Sequence, residues 1–177
     1  MSTGTMTAGR ALLRRLAMPA VLVSMTVGAG SLMLAPQAGL ASTRAVVAVP
    51  ATGPIVSGYH KNKCIDDLGD ATKNDTPIVM WDCNGTPEQA WTIETDGTIQ
   101  INNKCLDVYR YRTANKTPVE LWTCHGSSNQ QWEAVGGTLV NPRSGKCLDD
   151  PRYNTTNGTQ LEIYKCNGGR NQQWVLP

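Results

Sequence analysis

Residues 104–132, KCLDVYRYRTANKTPVELWTCHGSSNQQW, decide how this chain folds, because their skeleton occurs twice more. Lys63-Cys64-Ile65-Asp66 leads to Gln89-Ala90-Trp91, and Lys146-Cys147-Leu148-Asp149 leads to Gln172-Gln173-Trp174. The copies start 41 and 42 residues apart, and each holds two cysteines 19 residues apart: Cys64 and Cys83, Cys105 and Cys124, Cys147 and Cys166. A period of this length marks one supersecondary unit that cannot bury its own apolar face and packs against its copies. Three copies make one closed domain.

Within each copy, short runs of alternating polarity broken by Gly, Asn, Thr and Pro read as β-strands, and no amphipathic helix stands out after the N-terminal region. Before the second cysteine come Ile78-Val79-Met80-Trp81, Val119-Glu120-Leu121-Trp122 and Leu161-Glu162-Ile163-Tyr164. Alternate strand residues face opposite ways. Ile78 with Met80, Val119 with Leu121, and Leu161 with Ile163 therefore share the buried side, and Trp81, Trp122 and Tyr164 face outward. Glu120 and Glu162 fall on the aromatic side, which we expect to be wet, since burying unpaired carboxylates is costly.

The tripled Cys-hydrophobic-Asp and tripled Gln-x-Trp resemble the ricin-type β-trefoil lectins, including the carbohydrate-binding modules of family 13, over about Gly53 to Pro177. The resemblance implies an all-β trefoil with pseudo-threefold symmetry, twelve strands and a short closed barrel capped by hairpins. Its repeats would cover about residues 54–94, 95–135 and 136–177. Trp91, Trp132 and Trp174 would meet in the shared interior.

The resemblance also implies a shallow sugar pocket on each unit. An Asp would accept hydroxyl bonds, an aromatic would stack on the ring, and Asn and Gln would complete the set. A pyranose offers an apolar C–H face and vicinal O–H donors, so a π-surface with a charged acceptor recognises both. In the second unit the matching residues are Asp107, Trp122, His125, Asn129 and Gln130; in the third they are Asp149, Tyr164, Asn167, Asn171 and Gln172. In the first, Asp66, Trp81, Asn84 and Gln89 fit, but Glu88 stands where Asn is expected and Val79 replaces the polar residue, so this pocket is expected to be weaker or silent. Asn74, Asn115 and Asn157 read as turn positions, and as glycosylation acceptors only in a eukaryotic secretory route. Lys63, Lys104 and Lys146 read as solvated flank, and Asp67 and Asp150 carry no assigned role.

Ahead of the repeats, Arg10, Arg14 and Arg15 precede an apolar stretch from Leu16 to Ala35 that runs into Gly39-Leu40-Ala41. This reads as a secretory signal peptide over residues 1–41 with a small-residue cleavage site. A membrane anchor is the competing reading, disfavoured by the interruptions at Pro19, Gly28, Gly30 and Pro36. Residues 42–53 read as a lead-in, leaving 54–177 as a single domain.

Export and six cysteines imply an oxidising compartment. The recurring spacing makes one bond per unit the simplest pairing, each adding about 3 kcal/mol in the chain-entropy model. No Cys-x-x-Cys occurs and His60 and His125 lie at no ligand spacing, so neither metal nor cofactor is expected. Of 16 Lys and Arg, three lie in the leader, leaving 13 against 14 Asp and Glu. With no basic stripe, nucleic acid and anionic membrane are excluded as partners.

The sequence thus predicts a secreted, extracellular, monomeric lectin without catalysis. Its partners would be glycans: galactosides, xylan or arabinose-containing polymers. The notable carboxylates repeat one per unit instead of pairing across one bond as glycoside hydrolysis requires. The alternative is a protein-binding trefoil acting as an inhibitor or interaction module.

Overall fold

The structure is a computed structural model that describes residues 50–69 and 72–177. The stretch expected to be a signal peptide, residues 1–41, and residues 42–49 of the expected lead-in lie outside the described residues. Among the described residues, no helix is long and apolar enough to cross a membrane.

Each repeat centres on one antiparallel hairpin whose register follows from the alternation. Strand Lys63–Asp66 pairs with Val79–Asp82, setting Cys64 opposite Trp81. Lys104–Val108 pairs with Thr117–Thr123, setting Cys105 opposite Trp122, and Lys146–Asp149 pairs with Glu162–Lys165, setting Cys147 opposite Tyr164. The three disulfides are Cys64–Cys83, Cys105–Cys124 and Cys147–Cys166, each with a Cα–Cα distance of 5.1 Å.

Three backbone bonds tie the repeats into a ring. The Ile78 amide donates to the Val119 carbonyl at 3.3 Å, Val119 to Leu161 at 3.1 Å, and Leu161 back to Ile78 at 2.9 Å. All three side chains are fully buried, as are Ile65, Leu106 and Leu148. Trp91, Trp132 and Trp174 fill the same core, and their indole N–H groups donate to the carbonyls of Ile65, Leu106 and Leu148 at 2.9, 3.0 and 3.2 Å. A buried indole needs such a partner, and the repeat supplies the same one three times. The result is the all-β trefoil that the resemblance implies.

The strands number fifteen among the described residues, not twelve. Two extra breaks fall at Ile78 and Leu161, where the backbone turns to make the ring bonds to the other two repeats. Another strand, Ala51–Gly53, lies in the stretch expected to be lead-in. It pairs with Trp91–Ile93 and covers an otherwise open sheet edge. At the other end Trp174–Val175 pairs with Val56–Ser57, closing the chain on itself. Gly58 is required there, since a Cβ would stand 2.7 Å from that of Gln173.

A second ring links the repeats at their surface, and it corrects the reading of the lysines. The residues after Asn74, Asn115 and Asn157 all take positive φ, as turns require. Each turn aims its Asn at the neighbouring repeat. Asn74 Oδ1 accepts from the Thr123 amide at 2.9 Å, Asn115 from the Lys165 amide at 2.9 Å, and Asn157 from the Asp82 amide at 3.0 Å. Lys104 Nζ donates to Asn74 at 2.9 Å and Lys63 Nζ to Asn157 at 2.7 Å. Lys63 is buried and also pairs with Asp82 at 2.7 Å, so these two lysines are inter-repeat ties and not free flank. Asn74→Ala is expected to cost about 1–2 kcal/mol, read as a lowered urea midpoint at unchanged slope; an unchanged midpoint would remove the ring from the stability account.

Candidate functional site

The hairpin register places the candidate residues on one side. Cys105, Asp107, Glu120 and Trp122 alternate with Leu106 and Leu121, which enter the core. The third repeat repeats this with Asp149 opposite Glu162, and the first sets Asp66 opposite Val79. Three clefts result. The second, of about 430 Å³, is lined by Asp107, Glu120, Trp122, His125 and Asn129 together with Arg110 and Tyr111. The third, of about 500 Å³, carries Asp149, Glu162, Tyr164, Asn167 and Asn171 with Arg152 and Tyr153, and the first, of about 230 Å³, carries Asp66, Trp81, Asn84 and Glu88.

The Gln of each repeat lies beneath its Asp with its amide committed. Gln130 Nε2 donates to Asp107 Oδ2 at 2.7 Å and to the Thr123 carbonyl at 3.0 Å, while its Oε1 accepts from the His125 amide at 2.9 Å. Gln172 does the same with Asp149, Lys165 and Asn167, and Gln89 with Asp66, Asp82 and Asn84. All three are buried, and none lines the three clefts just described, so each is placed to aim its carboxylate.

The Asn partners finish the aim. Asn129 Nδ2 donates to Asp107 Oδ1 at 2.7 Å. In the third repeat Asn171 and Gln172 both donate to Asp149 Oδ2, at 3.0 and 2.7 Å, so among the described residues no side chain donates to Oδ1. Glu88 occupies the equivalent place in the first repeat. Its backbone carbonyl still accepts from the Asp67 amide at 3.2 Å, as those of Asn129 and Asn171 do from Val108 and Asp150. Its carboxylate cannot donate, and its charge faces that of Asp66. This arrangement supports the weaker first pocket.

His125, Asn84 and Asn167 cap their own turns. Asn84 Oδ1 accepts from the Thr86 amide at 3.0 Å and Asn167 Oδ1 from the Gly169 amide at 2.7 Å. His125 Nδ1 accepts from the Ser127 amide at 3.3 Å, which leaves Nε2 3.7 Å from Asp107 Oδ2.

The expectation of a wet aromatic face needs correction. Trp81, Trp122 and Tyr164 are half-buried, but Asp107, Glu120 and Asp149 are only 2%, 6% and 3% exposed. The Glu120 carboxylate has no side-chain hydrogen-bond partner among the described residues, so part of the cost argued from sequence is present in the structure. It appears as raised proton affinity. Burial pushes Asp107 up to about 6 and Glu120 to about 7, the latter aided by the charges of Asp75 and Asp107. Burial also raises Asp66, Asp149 and Glu162.

These shifts give two opposite pH effects. The native chain holds protons that the unfolded chain releases near pH 4, so this contribution to stability is complete below about pH 4 and lost as pH rises through 6 to 7. Melting temperature should therefore rise on going from pH 8 to pH 5. Any ligand that needs Asp107 as a charged acceptor should bind the second cleft more weakly over the same interval, because a protonated Asp107 is a poorer acceptor. Calorimetric melting and titration at both pH values check this; parallel changes would contradict it.

Several cleft residues were missed from sequence. Glu120 and Glu162 were placed on the right face but given no contact. Arg110-Tyr111 and Arg152-Tyr153 recur three and four positions after Asp107 and Asp149, a spacing the sequence displays. Asp150, left without a role, is fully buried, accepts a hydrogen bond from the Tyr59 hydroxyl, and is raised by burial to about 6. Asp67 is fully buried and accepts from Asn102 at 3.0 Å. Among the described residues, no group of acidic, His or Cys side chains is arranged to hold a metal ion.

Solved structures similar to this chain include a designed threefold-symmetric protein, ThreeFoil, with 28% identity, TM-score 0.63, and coverage of 70% of this chain and 95% of that one. The agglutinin from Abrus precatorius matches with 27% identity and TM-score 0.63, over 72% of this chain and 48% of that one. The hemolytic lectin CEL-III matches with 25% identity and TM-score 0.59, over 71% and 32%. No curated protein matches the sequence. The model of the ricin-type beta-trefoil lectin domain matches residues 51–174, spanning all three clefts and the core they surround, and the chain belongs to that family.

Proposed function

We propose that this protein is a secreted, monomeric, non-catalytic lectin that holds neutral sugars in its second and third clefts, with the first cleft contributing weakly. The observation that carries the reading is the preparation of Asp149 beside Tyr164. Two buried amides fix one carboxylate oxygen and leave the other open for vicinal hydroxyls. Asp107 beside Trp122 repeats the arrangement, with lone pairs to spare on each oxygen.

The sugar class consistent with one carboxylate acceptor and one stacking ring includes galactosides and the xylose or arabinose units of plant polymers, as in carbohydrate-binding modules of family 13. One stack contributes about 1 kcal/mol beyond area burial. A few exposed hydrogen bonds add about 1 kcal/mol each. Together these correspond to a dissociation constant near 1 mM. Useful retention then comes from several clefts on one rigid domain engaging one polymer, which raises avidity by roughly 10².

Catalysis is not part of the reading. The Asp of each cleft is tied down by side-chain amides, one in the first cleft and two in the second and third, which suits a fixed acceptor and not a group that shuttles protons. Affinity electrophoresis through galactan and xylan tests the proposal. Retardation should fall partly with Asp107→Ala or Asp149→Ala alone and far more with both. Equal retardation of wild type and double variant would contradict it.

A further inference from the structure

The second and third clefts carry a second aromatic side chain that the one-sugar reading does not use. Tyr111 and Tyr153 line them together with Trp122 and Tyr164, and each remains 43% and 51% exposed. Both are held firmly in place. Arg110 and Tyr111 have φ of 48° and 58°, and Arg152 and Tyr153 have 61° and 58°, so the same left-handed pair is built twice from residues that disfavour it.

Side-chain contacts brace the same rings. The Arg143 guanidinium, from the third repeat, stands 5.5 Å over Tyr111 while its Nε donates to the Tyr111 carbonyl at 3.3 Å. The His125 ring lies parallel to Tyr111 at 6.0 Å. Tyr153 is met edge-on by Tyr59 at 5.3 Å, and Tyr59 is itself anchored on buried Asp150. Large aromatics fixed by their surroundings yet left open to solvent are prebuilt contact surface.

The first repeat supplies an internal comparison. Four positions after its Asp the first repeat carries Asp70 and not a tyrosine, and among the described residues Trp81 is the one aromatic that lines its cleft. That cleft is about 230 Å³, against about 430 and 500 Å³ where the tyrosines stand, close to a doubling.

We infer that the second and third clefts each bind two consecutive sugar rings of a chain, one on Trp122 or Tyr164 and the next on Tyr111 or Tyr153, whereas the first cleft takes a single ring. This rests on the carbohydrate-binding reading and adds the length of ligand it recognises. The protein would then select oligosaccharide segments over isolated terminal sugars.

The test is a ladder of ligands titrated by NMR into the oxidised full-length protein: galactose, galactobiose and galactotriose, and xylose, xylobiose and xylotriose. The disaccharide that binds should do so about tenfold more tightly than its monosaccharide, with less than a threefold further gain for the trisaccharide. Tyr111→Leu/Tyr153→Leu removes both exposed rings while keeping Trp122 and Tyr164, and circular dichroism with an unchanged urea midpoint verifies that the fold is retained. It should erase the disaccharide gain while leaving monosaccharide affinity within twofold. Absence of a length gain in the wild type, or equal loss of mono- and disaccharide in the variant, would overturn the second platform and leave the lectin reading standing. Binding of neither ladder would overturn both.

Discussion

Trp91→Ala is expected to lower the unfolding free energy by about 4 kcal/mol. The indole is fully buried where the three repeats meet, and its N–H satisfies the Ile65 carbonyl. Truncation removes the packing, opens a cavity between three elements that cannot all collapse into it, and strands that carbonyl. Domains of this size have about 5–15 kcal/mol in total, so the variant should be close to the edge of folding. Trp132→Ala and Trp174→Ala should cost slightly less, since those rings keep 5% and 4% exposure. Urea unfolding with the disulfides intact reads the difference; a loss under about 1 kcal/mol would mean that the pseudo-threefold core is not the main source of stability.

The second large effect is on binding. Asp107→Ala/Asp149→Ala is expected to reduce retention on a polysaccharide by at least about 10²-fold. It removes the charge-assisted acceptor from both well-formed clefts, and hydrogen bonds to charged groups contribute about 1.5–3 kcal/mol each. Starting from millimolar single-site affinity, such a loss leaves nothing measurable per cleft. The substitutions also free the amides of Asn129, Gln130, Asn171 and Gln172, so circular dichroism of the variant must accompany the result. Asp66 remains as an internal control: with one side-chain amide donor and Glu88 beside it, the first cleft should not rescue binding.

The parts of this molecule that could be read from sequence are those fixed by repetition at short range. Cysteines 19 residues apart, a Gln-x-Trp and a period-two strand each report a contact within one repeat, and three copies of each removed the ambiguity of any single one. The core side of the hairpins follows from alternation alone, and Ile78, Val119 and Leu161 lie where it puts them.

What escaped was contact between repeats. Lys63 reaches Asn157 and Tyr59 reaches Asp150 across most of the domain, and nothing local marks either lysine or aspartate as engaged. Glu120 shows a different limit. Alternation gave its face correctly, but whether that face is open or a cleft depends on the loop carrying Arg110 and Tyr111, whose left-handed backbone no pattern of polarity announces. Strand residues 51–53 were lost for a third reason: too short and too small to carry a periodic signal, they are ordered by the edge of Trp91–Ile93.

The central claim is that the Asp-plus-aromatic clefts of the second and third repeats are sugar sites, and a glycan array probed with wild type beside Asp107→Ala/Asp149→Ala tests it most directly. The account predicts wild-type binding to galactosyl or xylan-type glycans that disappears in the folded variant. Binding that persists in the variant, or an array on which the wild type binds nothing, would contradict it.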